Sequence, residues 1–153
     1  MRSRVIVFTA GLALALASAA YGQASPGPSP VQLRQGQFRE VGTAFKAIND
    51  ELRKTAPGRF VLASSARTIA DNLHHIGALF PTGSGPAPGV KTKAKLAIWS
   101  DRAQFDRLNA SAINEANRLT SVIRSNDQTA IRTQMRALGG ACKSCHDQFR
   151  VAD

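Results

Sequence analysis

The strongest constraint on the fold is the spacing of apolar residues, which recur every three or four positions in four separate stretches of the chain. This spacing places apolar side chains along one face of an α-helix. Because each apolar face must be buried against the others, the pattern predicts an all-α fold, an antiparallel four-helix bundle. The four series are Phe38, Val41, Phe45, Ile48 and Leu52; Leu62, Ala66, Ile69, Leu73, Ile76 and Phe80; Phe105, Leu108, Ala112, Leu119 and Val122; and Ile131, Met135, Leu138, Cys142, Cys145 and Phe149.

Turn-forming and capping residues separate the four predicted helices. Ser29 precedes a proline and lies three residues before a glutamine, which is the pattern of a capping box at the start of the first helix. Pro57-Gly58 predicts its end, and residues 81–94 predict a long loop rich in glycine and proline. We expect the third helix to begin near residues 99–101 and Asp127 to cap the fourth.

The N-terminal segment resembles a targeting signal. Within residues 1–22, two arginines precede a short apolar run and small residues follow, as in a secretory signal peptide. The apolar run is shorter than the roughly 18 residues that a spanning helix needs, although an uncleaved anchor is the alternative. We therefore expect export to a bacterial periplasm, a turn-rich flexible leader at 23–30, one helical domain at 31–153, and no transmembrane span in the mature protein.

The chain is strongly basic, with 20 Lys and Arg against 10 Asp and Glu and a formal net charge of +10. A nucleic-acid partner is not expected, because aromatic residues for base stacking are sparse and export removes the protein from DNA. Lys91, Lys93 and Lys95 cluster in the predicted loop. Such a run is usually solvated surface, and the alternative is docking to an acidic partner or an anionic membrane.

The sequence Cys-Lys-Ser-Cys-His at the C-terminal end is the most informative motif. Cys142 and Cys145 are three residues apart on a predicted helix, so both thiols lie on one face and can add to the two vinyl groups of one porphyrin. His146 follows on the same side and can bind the iron. The motif therefore predicts one covalently bound haem c in the bundle core. The alternatives are a disulfide, a redox dithiol, and a zinc site completed by His74 or His75.

A haem motif at the end of a four-helix chain resembles the class II c-type cytochromes, and most closely the cytochrome c′ family. The resemblance covers about Val31 to Arg150. Four segments carry it: Arg34-Gln35; Leu79-Phe80-Pro81; Ile98-Trp99-Ser100-Asp101; and Cys142 through Arg150.

The resemblance implies roles for individual residues. His146 would be the only protein ligand to the iron, and Arg150 would lie beside the proximal face. Arg34 would lie near the haem propionates, and Phe38 would face the distal side of the iron. The implied protein has a five-coordinate, high-spin haem that binds NO and CO and is capable of electron transfer. The family often forms homodimers through its first two helices, so we expect a homodimer here.

A dedicated low-spin electron carrier with a sixth axial ligand is the main alternative, and it would dock on a redox protein partner. In that branch of the class a Met of the first helix binds the iron. Met135 lies on the predicted fourth helix, and we interpret it as a core-packing residue. His74 and His75 flank the apolar face of the second helix, so we expect surface positions for both. A third alternative is a weak peroxidase, but the sequence shows no distal His/Arg pair to activate peroxide.

Overall fold

Four long helices make up most of the described chain. They are α1 (Pro30–Glu51), α2 (Arg59–Ile76), α4 (Arg102–Ile123) and α5 (Gln128–Phe149), and a short helix α3 (Ala97–Ser100) precedes α4. The computed structural model describes residues 28–152, so the predicted signal peptide and residues 23–27 of the predicted leader lie outside the described residues. No β-strand forms between residues 28 and 152, and the prediction of an all-α bundle is confirmed.

The apolar faces of the long helices form one core. Helix α1 packs on α2, α2 packs on α4, and α4 packs on α5. The side chains that are most completely buried come from all four helices and from the residue just after α1. They are Ile48, Leu52, Leu62, Ile69, Leu119, Ile131 and Leu138.

Side-chain caps fix the first residues of two helices where the sequence predicts them. Ser29 Oγ accepts a hydrogen bond from the Gln32 amide at 3.3 Å, and Gln32 Oε1 accepts one from the Ser29 amide at 2.8 Å. At the start of α5, Asp127 Oδ1 accepts hydrogen bonds from the amides of Thr129 and Ala130 at 2.8 and 3.1 Å. Both caps satisfy amides that no helical carbonyl can reach.

Helix α1 ends earlier than the sequence predicts. The predicted end was Pro57-Gly58, whereas the helix stops at Glu51. Residues 52–57 form a turn between α1 and α2, and the Glu51 carboxylate closes it by accepting a hydrogen bond from the Gly58 amide at 2.7 Å. Leu52 is still buried, so the apolar series continues past the last helical residue.

The predicted third helix is divided in two at Asp101. That residue has φ −125° and ψ 56°, which interrupts the helical backbone between α3 and α4. Its side chain accepts a hydrogen bond from the Gln104 amide at 3.2 Å and caps α4. The start expected near residues 99–101 is therefore the end of α3 and the cap of α4.

Arg102 joins the end of α2 to the beginning of α4. Its guanidinium donates to the carbonyl oxygens of Gly77 and Phe80 at 3.0 and 3.1 Å, in the 3-10 turn and the residue that follow α2. Unpaired carbonyls at a helix end attract a cation. These bonds bring the ends of two helices together at the side of the bundle where the C-terminal motif lies.

No helix within residues 28–152 is long and apolar enough to cross a membrane.

Candidate functional site

A cavity of about 790 Å³ opens between the long helices and the loop that precedes α3. Its size is in the range of ligand and cofactor sites in proteins. Its wall is mainly apolar, with contributions from α1, α2, α3, α4 and α5. Large apolar members of the wall are Phe45, Leu73, Phe80, Ile98, Phe105 and Phe149.

The last turns of α5 carry the Cys-Lys-Ser-Cys-His motif along one side of this cavity. Cys142 and Cys145 are free thiols, both are half-buried, and both line the cavity together with His146. Gly139 also lines the cavity, whereas a side chain at Gly140 would meet only open space. The structure therefore brings the three motif residues to one apolar space, as the sequence predicts for haem attachment.

Burial sets the protonation of the motif side chains. It raises the pKa of the Cys142 thiol, and it raises the pKa of the Cys145 thiol to about 11. A reactive redox dithiol needs a depressed thiol pKa, so these cysteines do not fit that class. The pKa of His146 is lowered, first by burial and then by the positive charge of Arg150. A neutral imidazole, the form that binds metals, is thereby favoured.

Phe38 of α1 meets His146 at the cavity. The two ring centroids are 6.4 Å apart with an angle of 67° between the ring planes. Phe38 belongs to the apolar series of α1, yet its side chain is 38% exposed because it borders the cavity and not the packed core. Phe38 of α1 and His146 of α5 thus approach each other from two helices that border the same cavity.

Arg34 lies in the cavity wall, but its guanidinium is held by the loop. The residue is only 2% exposed, and it donates to Leu79 O, to Ser84 Oγ and O, and to Thr92 Oγ1 at 2.8 to 3.5 Å. The guanidinium also lies 4.8 Å from the ring centroid of Phe80. Burial lowers its pKa. Each of these hydrogen-bond acceptors is a neutral oxygen, so a carboxylate from a ligand would supply the missing opposite charge.

Arg150 follows the motif helix and borders the cavity while its backbone pairs with the loop. An antiparallel bridge joins Ala94 to Arg150, with the Lys95 amide donating to Phe149 O at 2.9 Å. The Val151 amide donates to Lys93 O at 2.8 Å. These bonds attach the loop to the end of α5 and complete one wall of the cavity.

Other candidate iron ligands lie away from the cavity. His74 and His75 are exposed on α2, and Met135 is buried in the core of α5, so none of the three lines the cavity. In residues 28–152, no group of three His, Cys, Asp or Glu side chains is arranged to hold a metal ion. Cys142, Cys145 and His146 therefore do not converge on one ion, as zinc would require. A haem needs separate contacts, with thiols at the edge of the ring and imidazole at its centre, and the site fits it.

Much of the cavity wall was not predicted as a site. The cavity is bordered by Leu73 and Ile76 on α2 and by Leu108, Asn109 and Ala112 on α4. Four of these residues belong to the predicted apolar series, and Asn109 is not singled out by the sequence. A residue facing a cavity and a residue facing another helix have the same spacing in the sequence. No sequence signal separates these two environments.

A helical bundle whose last helix presents this motif to an apolar cavity is a c-type cytochrome. The family model described as cytochrome c′ matches residues 29–150. The chain therefore belongs to the cytochrome c′ family, whose cofactor is one covalently bound haem c.

Individual relatives agree over most of the chain. Cytochrome c′ from Rhodospirillum rubrum is 32% identical over 137 residues, which cover 90% of this chain and 92% of the relative. The solved cytochrome c′ from Rhodopseudomonas palustris has a TM-score of 0.73 at 31% identity and covers 83% of this chain and 99% of that one. Another solved cytochrome c′, described by its unusual ligand-controlled dimer dissociation, has a TM-score of 0.76 at 25% identity over 83% of this chain and 100% of that one.

Proposed function

We propose that this chain is a periplasmic haem protein that binds NO and CO at a five-coordinate, high-spin haem and can transfer single electrons. Cys142 and Cys145 hold the haem, and His146 is its one protein ligand to the iron. The observation that carries the proposal is the position of Phe38, whose apolar ring meets His146 at 6.4 Å. The bound haem supplies the iron that takes up the diatomic ligand or the electron.

The motif residues attach and orient the cofactor. Each thiol would hold the haem by adding across one vinyl group, so that a sulfur–carbon bond forms and the thiol hydrogen goes to the neighbouring carbon. The apolar surroundings that raise the pKa of both thiols are those that a porphyrin ring requires. Since burial and Arg150 favour the neutral form of His146, the imidazole keeps a lone pair for the iron at neutral pH.

The distal wall limits what reaches the iron. Phe38 provides no atom that can coordinate a metal, and its ring excludes bulky ligands from that side. An anion entering the apolar cavity would also lose its hydration without a hydrogen-bond donor from Phe38. Small neutral ligands such as NO and CO meet neither obstacle. Besides His146, the His and Met side chains of residues 28–152 are His74, His75 and Met135, and none of these three lines the cavity.

Two arginines adjust the site. Arg34 supports the loop beside the cavity and offers its buried positive charge to the haem propionates. Arg150 lowers the proton affinity of His146 from the proximal side. These roles concern ligand binding and electron transfer, and they include no residue pair that activates peroxide.

Export and dimer formation complete the proposal. Residues 1–22 direct the chain to the periplasm, where haem attachment is finished. The homodimer uses α1 and α2, whose shared surface carries a shallow groove bordered by small side chains such as Ala44, Ala47 and Ser65. A dimer is also described for one solved relative.

Titration of the reduced, haem-loaded protein with CO and NO tests this function. We expect each gas to change the absorption spectrum in proportion to the ligand bound, with saturation at one ligand for each haem. A spectrum that does not respond to either gas would contradict the proposed ligand binding.

A further inference from the structure

Asn109 is the one polar side chain that α2 and α4 contribute to the wall of the haem cavity in the described part of the chain. An amide in apolar surroundings needs a hydrogen-bond partner, because its burial is otherwise unfavourable. Core packing alone therefore does not account for an asparagine at this position. The other wall residues of these two helices are Leu73, Ile76, Phe105, Leu108 and Ala112.

The carboxamide of Asn109 makes no hydrogen bond to any atom of residues 28–152, although the residue is half-buried. Two other half-buried asparagines donate to the carbonyl one turn earlier on their own helices. Asn49 Nδ2 donates to Phe45 O at 3.1 Å, and Asn72 Nδ2 donates to Thr68 O at 2.9 Å. Asn109 lacks the corresponding bond, so its donor is available to a group that enters the cavity.

Asn109 lies beside the 3-10 turn Gly77–Leu79, which packs on α1 and α2. A side chain built on Gly77 would lie 3.7 Å from Asn109 Nδ2. Arg34 reaches the other end of this turn and donates to Leu79 O at 3.5 Å. Asn109 and Arg34 both line the cavity, so a neutral donor from α4 and a charged donor from α1 flank the same turn.

The two thiols of the motif come from a different part of the wall. Cys142 and Cys145 lie on α5, which packs on α3 and α4. In haem the vinyl groups and the propionates are at opposite edges of the macrocycle, so attachment of the vinyl edge to α5 directs the propionates away from the motif. The propionates also carry the only oxygen atoms of haem, and are therefore its only strong acceptors for an amide.

We propose that Asn109 Nδ2 donates a hydrogen bond to a haem propionate. This inference rests on the proposed function, because it names a further residue that binds the same haem. A haem in the cavity displaces the water that would otherwise solvate the Asn109 amide, and the propionate oxygen replaces that water as the acceptor. The carboxylate in turn receives a neutral donor from Asn109 in addition to the positive charge of Arg34.

The terminal atom of a gas bound to the iron is the other acceptor that the Asn109 amide could meet. A propionate is the better match, because a carboxylate accepts stronger hydrogen bonds than a neutral diatomic ligand and needs donors when it leaves water. The position beside the turn that Arg34 contacts also favours the propionate. A bond to the gas ligand is therefore an outcome of the test.

Resonance Raman spectroscopy of the haem-loaded protein without added ligand tests the proposal through the bending bands of the propionates. The test variants are Asn109→Leu and Asn109→Asp, which are close to asparagine in size and both remove the amide donor. The matched control is Asn114→Leu, on the same helix but exposed and outside the cavity lining. The C–O stretching band of each CO complex reports polar contacts with the gas ligand.

We expect both Asn109 variants to shift a propionate bending band to lower frequency by a few wavenumbers, since this frequency falls when the carboxylate loses a hydrogen bond. The control should keep the band of the unaltered protein, and the C–O stretching band should be the same in all four proteins. Because leucine is apolar and aspartate is not, an effect of apolar repacking would appear in the leucine variant alone.

A shifted C–O band with unchanged propionate bands would overturn the proposal in favour of a bond to the gas ligand. No shift of either band would overturn it as well, because the amide would then meet no acceptor. An equal shift of the propionate band in Asn114→Leu would also contradict it, since the contact would not be specific to Asn109. A haem that takes up neither CO nor NO would contradict the proposed function, whereas the propionate bands of the unliganded protein would still decide the role of Asn109.

Discussion

Phe38 is the residue on which the choice between a five-coordinate and a six-coordinate haem depends. Its place in the apolar series of α1 predicts a core side chain, and the structure leaves it 38% exposed beside His146. The ring contributes little to core packing, so its removal changes the cavity more than the stability of the bundle.

Replacing Phe38 with alanine should open the distal side of the haem. We expect the affinity for CO to rise about tenfold or more, equivalent to roughly 1.4 kcal/mol, because the ligand no longer displaces an aromatic ring. Flash photolysis of the CO complex measures this. The control is Phe60→Ala at the start of α2, where the side chain is 84% exposed and outside the cavity lining. Equal CO affinity in the two variants would show that the Phe38 ring does not limit ligand binding at the iron.

The two cysteines should make separable contributions to haem retention. We expect Cys142→Ser and Cys145→Ser each to keep one thioether and to shift the pyridine haemochrome band toward longer wavelength, since one vinyl group stays unsaturated. The double variant should release its haem into acidic acetone.

Ser144→Ala provides the control for the cysteine variants. Ser144 lies between the two cysteines and is exposed, with its hydroxyl donating to Gly140 O at 3.0 Å. It should leave the haemochrome unchanged. Haem that stays bound to the double cysteine variant through acidic acetone would contradict the assigned attachment.

At the scale of single elements, the position of the motif depends on where α5 begins. Asp127 fixes that position through the hydrogen bonds it accepts from two amides of the first turn. Helix α5 then runs without interruption to Phe149 and carries the motif in its last turns.

Removing this cap should destabilise the bundle. We expect Asp127→Ala to lower the free energy of unfolding by about 1 kcal/mol, because two amides lose their acceptor. Urea denaturation of the haem-loaded protein measures the change. Asp127→Asn keeps a capping oxygen and should recover most of the loss. An asparagine variant as unstable as the alanine variant would show that the lost charge matters and the cap does not.

The turn between α1 and α2 should give the stability a component that depends on pH. The hydrogen bond from Lys54, followed by the Gly58 amide, lowers the pKa of the Glu51 carboxyl below its ordinary value of 4.5. The folded state thus binds the proton less tightly than the unfolded state, so this stabilisation is present above the ordinary pKa and is lost as pH falls through the folded pKa.

Glu51→Gln should remove this component. The unaltered protein is expected to be the more stable of the two at pH 7, and the difference should shrink as the pH falls below 4.5. Urea titrations of both proteins between neutral and acidic pH measure it. A difference in unfolding free energy that is constant across this range would contradict the assigned role of the carboxylate.

At the scale of the whole molecule, the apolar spacing predicts the arrangement of helices but not their ends. Ile48, Ile69, Leu119 and Leu138 lie in four predicted series and meet in one core, since a helical face depends only on local spacing. The turn after α1 is closed by Glu51, which accepts a hydrogen bond from Gly58, the residue just before α2. A side-chain contact across a turn leaves no trace in the spacing of apolar residues.

The candidate site was predictable in part for the same reason. The motif of Cys142, Cys145 and His146 is local, and the structure places all three at one cavity. The far wall, from Leu73 to Phe105, is formed only when separate helices pack. The position of the loop likewise depends on the bridge between Ala94 and Arg150, which joins distant parts of the sequence.

The central claim is that His146 is the only protein ligand to the haem iron. Electronic absorption of the purified protein without added ligand, recorded in both oxidation states and supported by electron paramagnetic resonance of the ferric form, tests it most directly. We predict high-spin iron in both states, with a single broad band for the reduced protein. A sharp low-spin α-band in the reduced protein would contradict the claim, because low-spin iron requires a sixth ligand.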